Sequence, residues 1–283
     1  MAPSPASVNF LNKQLFSKVF SKVQHLSEPD FSLSCELEVR NLTYYFPNKK
    51  VGLLEVNLRL KQGEFVILAG KNGSGKTLLA RHLVGLVQPQ KGEVLFNGVP
   101  LQKCLLKVRE KVGFIFQDAD TQIIGQTLEE ELRFGPENLN LSEDEIRTRV
   151  QKVIQLLGLK NHMLTPPARL SGGEKRKLSI GSILTVNPDI LILDEPFANL
   201  DYPGIVSVLR LLLQLKAEGK GIVLITHELE KALAHADRLV ILEEGQIRED
   251  GPTFITAPRA GNYGLHPLDF AHMPLEKCTW LPD

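Results

Sequence analysis

Apolar and polar residues alternate twice early in the chain, in Leu37-Glu38-Val39-Arg40-Asn41-Leu42 and in Leu54-Glu55-Val56-Asn57-Leu58-Arg59-Leu60. A period of two with one apolar face predicts half-exposed antiparallel strands. They are expected beside a third strand, Glu64-Phe65-Val66-Ile67-Leu68-Ala69, whose apolar positions run on without alternation. Lys111–Phe116 reads as another strand, and Asp189–Glu195 and Gly221–Thr226 as short buried strands. Between them the period lengthens. A helix is predicted over Thr77–Leu83 and another from Lys175 to Leu184. Residues 127–160 read as a helical, charge-rich insertion. There Ser142-Glu143-Asp144-Glu145 starts a helix bearing Ile146, Val150, Val153, Ile154 and Leu157, and Gly158 ends it. Gly92–Gly98 reads as a strand closed by an Asn-Gly turn, and Leu239–Leu242 with Gly245-Gln246-Ile247 as a closing hairpin. Strands alternating with helices imply an α/β fold, a mainly parallel sheet with helices on both faces.

The two ends differ from this middle. Residues 1–35 form an N-terminal extension in which Phe16, Val19, Phe20 and Val23 share one face of a short amphipathic helix. Packing on the rest of the chain and docking on a membrane or partner are both open. After 252, Pro258, Gly261, Gly264, Pro267, Pro274 and Pro282 are expected to break regular structure, leaving 253–283 as a tail. Lys+Arg and Asp+Glu are both 33, so no basic field gathers nucleic acid, and none is expected as a partner. The three cysteines have no paired spacing, which argues against a disulfide framework and favours a reducing compartment. No apolar run is long enough to span a membrane, and no secretory signal is read at the N-terminus.

The candidate chemistry centres on Gly70-Lys71-Asn72-Gly73-Ser74-Gly75-Lys76-Thr77, a complete phosphate-binding loop between a strand and a helix. Its glycines let main-chain N–H groups turn inward on a phosphate, and the following helix N-terminus adds partial positive charge. Lys76 would reach the β- and γ-phosphates of a bound nucleotide, and the Thr77 hydroxyl would ligate Mg²⁺. Asp194 and Glu195 close a buried strand where ligands meet α/β sheets, Asp194 to hold Mg²⁺ and Glu195 to polarise the attacking water. His227 ends a further strand and is expected at the γ-phosphate, while Gln117 stands at the end of 111–116. An aromatic ring among Tyr44, Tyr45 and Phe46 could stack on adenine or pack in the core. Ser171-Gly172-Gly173 at a helix start is a second place for an anion.

Taken in order, the loop 70–77, Gln117, Leu170-Ser171-Gly172-Gly173-Glu174, Asp194-Glu195, Ala198-Asn199-Leu200-Asp201 and His227 resemble the motifs of the ATP-binding cassette (ABC) ATPases over residues 37–251. The resemblance implies an ATP-binding domain over 36–252, with a mainly parallel core sheet, an antiparallel β subdomain and an α-helical subdomain at about 118–170. It implies ATP bound by Phe46, residues 70–77 and the signature Ser171, Gly172 and Gly173. Thr77, Asp194 and Gln117 would hold Mg²⁺, and Glu195, His227 and Gln117 would serve hydrolysis. Residues 112–123 and 127–138 resemble the energy-coupling factor branch, which powers uptake of vitamins or transition-metal ions. Three features depart from that branch: Ala119 in place of proline, Glu174 in place of glutamine, and a short tail.

That branch implies a second ATPase subunit (a copy or a paralogue), a transmembrane coupling subunit and a substrate-capture subunit. The chain would then sit peripherally on the cytoplasmic face of the cell membrane. Glu131 is expected to meet a basic residue on the coupling subunit. A soluble ABC ATPase of iron–sulfur assembly is the alternative.

Overall fold

The alternating segments pair with each other. In the computed structural model, which describes residues 34–268 and 274–282, strand β1 (Glu36–Tyr45) lies antiparallel to β2 (Val51–Lys61). β4 (Lys91–Phe96) and the short β5 (Val99–Pro100) complete a four-stranded antiparallel sheet in the order β2-β1-β4-β5. The turn between β4 and β5 is Asn97-Gly98, both at positive φ, as a tight hairpin requires. Register shifts beside Asn41, whose φ is 49°, mark where β1 bends.

This sheet is separate from the one that carries the phosphate loop. Alternation reports which face of a strand is apolar but not which strand is its neighbour, so the expected place beside the third strand is not found. The two sheets touch where the Leu54 N–H of β2 donates to the Gly245 carbonyl at 2.8 Å.

The second sheet has six strands in the order β10-β9-β3-β8-β7-β6. β3 (Phe65–Ala69), β6 (Val112–Ile115), β7 (Ile190–Asp194) and β8 (Gly221–Thr226) are buried at every position. They run parallel with β9 (Arg238–Glu243), and β10 (Gln246–Pro252) turns back antiparallel to β9. Continuous apolar runs suit strands covered on both sides. Four neighbouring strands, β3, β8, β7 and β6, therefore end side by side, and the loops that leave them form one edge.

Helix α1 (Lys76–Leu83) leaves β3, and α2 (Leu105–Lys111) leads into β6. The helical insertion comprises the single turn α3 (Ala119–Gln122), α4 (Leu128–Asn138) and α5 (Glu143–Leu157), packed on α6 (Gly172–Leu184). α5 begins and ends where its capping residues indicate, with Ser142 accepting from the Glu145 N–H and Gly158 in the left-handed region. α5 approaches α6 closely at Gly181, where a Cβ would fall 2.5 Å from Leu157 Cδ1.

α7 (Tyr202–Ala217) covers the core with Ile205, Val208, Leu209 and Leu212. Beyond Pro252 the chain is more regular than its prolines and glycines suggest. α8 (Thr253–Thr256) runs into a 3₁₀ helix, Ala257–Tyr263. Pro258 sits in the first turn of that helix, where its missing N–H has no partner to lose. Ala257, Ala260, Leu265 and Cys278 enter the main core. The expected helix of residues 1–35 falls almost wholly outside the described residues. Of that stretch Cys35 is buried, and burial pushes its thiol up to about 12.

Candidate functional site

The phosphate loop needs glycine for reasons visible in its surroundings. A Cβ on Gly70 would lie 2.1 Å from the Leu242 carbonyl oxygen, and one on Gly75 would lie 2.8 Å from that of Gly52. Both residues have positive φ, as does Gly73. The loop thus turns directly over the β9 end and delivers Lys76 and Thr77 at the first turn of α1. Lys76 is buried, its Nζ donating to the carbonyls of Gly70 at 2.6 Å and Lys71 at 3.1 Å. Burial pulls its ammonium below the usual lysine range, against the opposing pull of Glu195 and Asp194.

Thr77 Oγ1 donates to Asp194 Oδ2 at 2.7 Å, joining α1 to the end of β7. Asp194 is 3% exposed, and its second oxygen, Oδ1, is buried with no hydrogen-bond partner. Burial raises its carboxyl above the ordinary range, opposed first by the Thr77 hydrogen bond. Glu195 follows with φ 45°, a left-handed conformation costly for a residue with a side chain. Its N–H still donates to the Ile225 carbonyl at 2.9 Å, so the left-handed turn comes at the last rung between β7 and β8. The turn aims the carboxylate at His227 from the end of β8, and His227 Nδ1 lies 2.9 Å from Glu195 Oε1.

These groups share a cleft of about 720 Å³ with Asn72, Gly73, Gly75 and Gln117. Phe46 lies at its rim, 40% exposed and edge-on to Tyr44, so among the three aromatic residues it offers the ring to the cleft. Gly70 and Ser74 do not line this cleft. The Ser74 hydroxyl is buried without a partner. The Lys71 side chain runs away from the cleft to Gly264, where an added Cβ would fall 1.7 Å from Lys71 Cε.

Ser171, Gly172 and Gly173 line a different cleft, of about 380 Å³. Asn199 and Leu200 line both. Ser171 caps α6, accepting from the Glu174 N–H at 3.3 Å, while its own N–H and hydroxyl each donate to Glu174 Oε2 at 2.8 Å. The Ser171 amide, and next its hydroxyl, hold the Glu174 carboxyl below the usual range. Glutamate in place of glutamine is accommodated as a two-donor acceptor.

Several contributors carry no local motif. Arg176 is buried on α6 and donates from Nη1 to the Phe116 carbonyl at 2.7 Å and from Nη2 to the Gln117 carbonyl. It bridges the helix that bears Ser171 to the loop that bears Gln117. Arg81, Glu228 and Lys231 also line the larger cleft. Glu131 corrects an expectation. It is 3% exposed, and its Oε2 accepts from the N–H groups of Ile124 at 2.8 Å and Gly125 at 2.9 Å. The carboxylate is buried and serves as an internal anchor for the loop after Gln117.

A family model described as ABC transporter matches residues 53–198. The energy-coupling factor transporter ATP-binding protein EcfA of Methanosarcina acetivorans is 42% identical over 217 residues, 76% of this chain and 79% of that protein. EcfA2 of Methanospirillum hungatei is 39% identical over 218 residues, but the chain spans only 55% of that longer relative. Among solved structures, cbiO1 of Clostridium perfringens, described as part of the ABC transporter complex cbiONQ, superposes with a TM-score of 0.73 at 32% identity. That match covers 80% of this chain and 92% of the other.

Proposed function

The chain belongs to the ABC transporter family, among the ATP-binding proteins of energy-coupling factor transporters, and we propose that it hydrolyses ATP in the larger cleft as one half of a pair. The work done would be uptake of a vitamin or a transition-metal ion through a separate membrane subunit, with a further subunit capturing the cargo. No helix among the described residues is long and apolar enough to cross a membrane. Attachment to the cytoplasmic face in this reading comes through those partners. Nothing above favours the iron–sulfur assembly reading.

In this reading the inward N–H groups of 70–77 and the Lys76 ammonium bind the β- and γ-phosphates, and Phe46 stacks on the base. The donors suit Mg²⁺, a hard cation that takes oxygen ligands: the Thr77 hydroxyl, the Gln117 side-chain oxygen and Asp194, whose Oδ1 has no protein partner. Bound there, Mg²⁺ would offset charge on the phosphate oxygens. Glu195 takes a proton from the attacking water as its oxygen bonds to the γ-phosphorus and the bond to the β,γ-bridging oxygen breaks. His227 orients the Glu195 carboxylate and faces the γ-phosphate. Ser171 and the amides of Gly172 and Gly173 act on the partner's nucleotide.

The observation that carries this reading is the division of the parts. Lys76, Thr77, Asp194, Glu195 and His227 meet in one cleft, while Ser171–Gly173 open into another. This division supports a reading in which a second subunit closes on the γ-phosphate from its other side. Glu195→Gln tests the chemistry. Turnover should fall about 10²–10⁴-fold with ATP still bound, as when a positioned base is removed. Near wild-type turnover would remove Glu195 from that role.

A further inference from the structure

His227 is followed by two short 3₁₀ turns, Leu229–Lys231 and Leu233–His235. Such turns hold themselves weakly. Their support comes from the far end of the chain. The Ala234 N–H donates to the Cys278 carbonyl at 3.0 Å, and the Trp280 N–H donates to the Lys231 carbonyl at 3.2 Å. His235 Nε2 lies 2.7 Å from Thr279 Oγ1, and Cys278 is fully buried beneath.

The side chains add a second layer. Lys231 is 5% exposed, pairs with Glu228 at 2.6 Å, and places its Nζ 4.8 Å from the centroid of the Trp280 ring. Another neighbour of that indole, which also packs against the core, is Tyr202, ring centroids 5.9 Å apart, which directly follows Asp201. One ring therefore touches both the segment behind His227 and the segment behind 198–201, which joins the two clefts. Lys231 and Glu228 themselves line the nucleotide cleft.

We propose that Pro274–Pro282 is a strap that positions His227 for hydrolysis, with Trp280 and Lys231 as its positioning residues. A tail that merely completed the core would need only apolar contacts. This one places an aromatic face against a buried cation whose carboxylate partner, Glu228, is the residue next to His227. A cation held against a ring and a carboxylate together has one favoured place. The Lys231 main chain is fixed with it, and so is the turn that sets the His227 ring against Glu195. The inference rests on the ATPase reading above.

The test uses the full chain and its single tryptophan. Saturating Mg²⁺ATP should shift the Trp280 emission, because the ring reports on a cleft-lining pair. Trp280→Ala should lower kcat about tenfold while leaving KM for ATP within about twofold, and Trp280→Phe, which keeps an aromatic face, should restore most of kcat. An unchanged emission at saturating ATP overturns the proposal, as does wild-type kcat in Trp280→Ala. So does a loss of kcat, ATP binding and thermal stability together that Trp280→Phe does not rescue, since that marks a role in folding alone. A wild-type chain that binds ATP without turning it over, with its partner subunits present, would instead overturn the ATPase reading.

Discussion

Asp194 is a buried carboxylate with one oxygen satisfied and the other without a partner, so its charge should cost stability in the nucleotide-free protein. The perturbation is Asp194→Asn, which keeps the shape and an acceptor for Thr77 but removes the charge. The side chain is 3% exposed, with a single hydrogen bond, from Thr77 at 2.7 Å, set against burial that raises its carboxyl. An acid whose folded pKa is raised opposes folding above its unfolded pKa. That penalty therefore grows as pH rises from about 4 through the folded value. Leaving a buried polar atom unsatisfied costs about 1–3 kcal/mol, more if charged, and the amide retains part of that cost.

A net gain of about 1 kcal/mol is expected for Asp194→Asn at pH 7, a rise in Tm of about 2–4 °C for a domain of this size. The gain should shrink on acidification. With Mg²⁺ATP the order should reverse, since ligand at a hundred times Kd adds about 2.7 kcal/mol to a wild type that binds it well. Calorimetry with and without Mg²⁺ATP, using Glu195→Gln as the background to stop turnover, measures both. A lower Tm for Asp194→Asn without nucleotide, or the same ranking with it, would refute the reasoning.

Two other outcomes follow from the same structure. Glu131→Ala should destabilise the chain by about 1–3 kcal/mol with no membrane subunit present, because the partly exposed N–H groups of Ile124 and Gly125 lose a charged acceptor, and Glu131→Gln should cost less; thermal unfolding of the purified chain reads both. Glu174 is held low by the Ser171 amide and hydroxyl, so its contribution is present above its ordinary pKa and lost as pH falls through the folded value. Protection of the Ser171 amide from hydrogen exchange, taken relative to its intrinsic rate, should persist through the ordinary glutamate range and be lost only on further acidification, and in Glu174→Gln that step should be absent.

What could be read in advance divides along a physical line. The phosphate loop, Asp194-Glu195, His227 and Gln117 sit at strand ends, where phosphate chemistry demands particular residues at fixed local spacing, and β3, β8, β7 and β6 bring those ends together. The capping of α5 was legible for the same reason, since Ser142 and Gly158 act within one turn of themselves. Sheet membership of 36–61 was not, because a period of two carries no information about partners. Arg176, Glu131 and Lys231 look like ordinary surface charges in a sequence. Each gains its role from a distant or irregular partner: Arg176 from carbonyls 60 and 59 residues away, Glu131 from two loop amides, Lys231 from Trp280. The docking of the tail on the core was not legible either, because proline and glycine forbid long helices but not short turns packed on a core.

The separation of Lys76, Thr77 and Asp194 from Ser171–Gly173 between two clefts makes association the central claim of the proposed function. Sedimentation of Glu195→Gln, alone and with a cognate second ATPase subunit, should show a dimer when Mg²⁺ATP is added and a monomer with Mg²⁺ADP. Ser171→Arg on that background should abolish the dimer while ATP binding persists. A chain that remains monomeric with saturating Mg²⁺ATP and its partner present, or a dimer indifferent to Ser171→Arg, would contradict it.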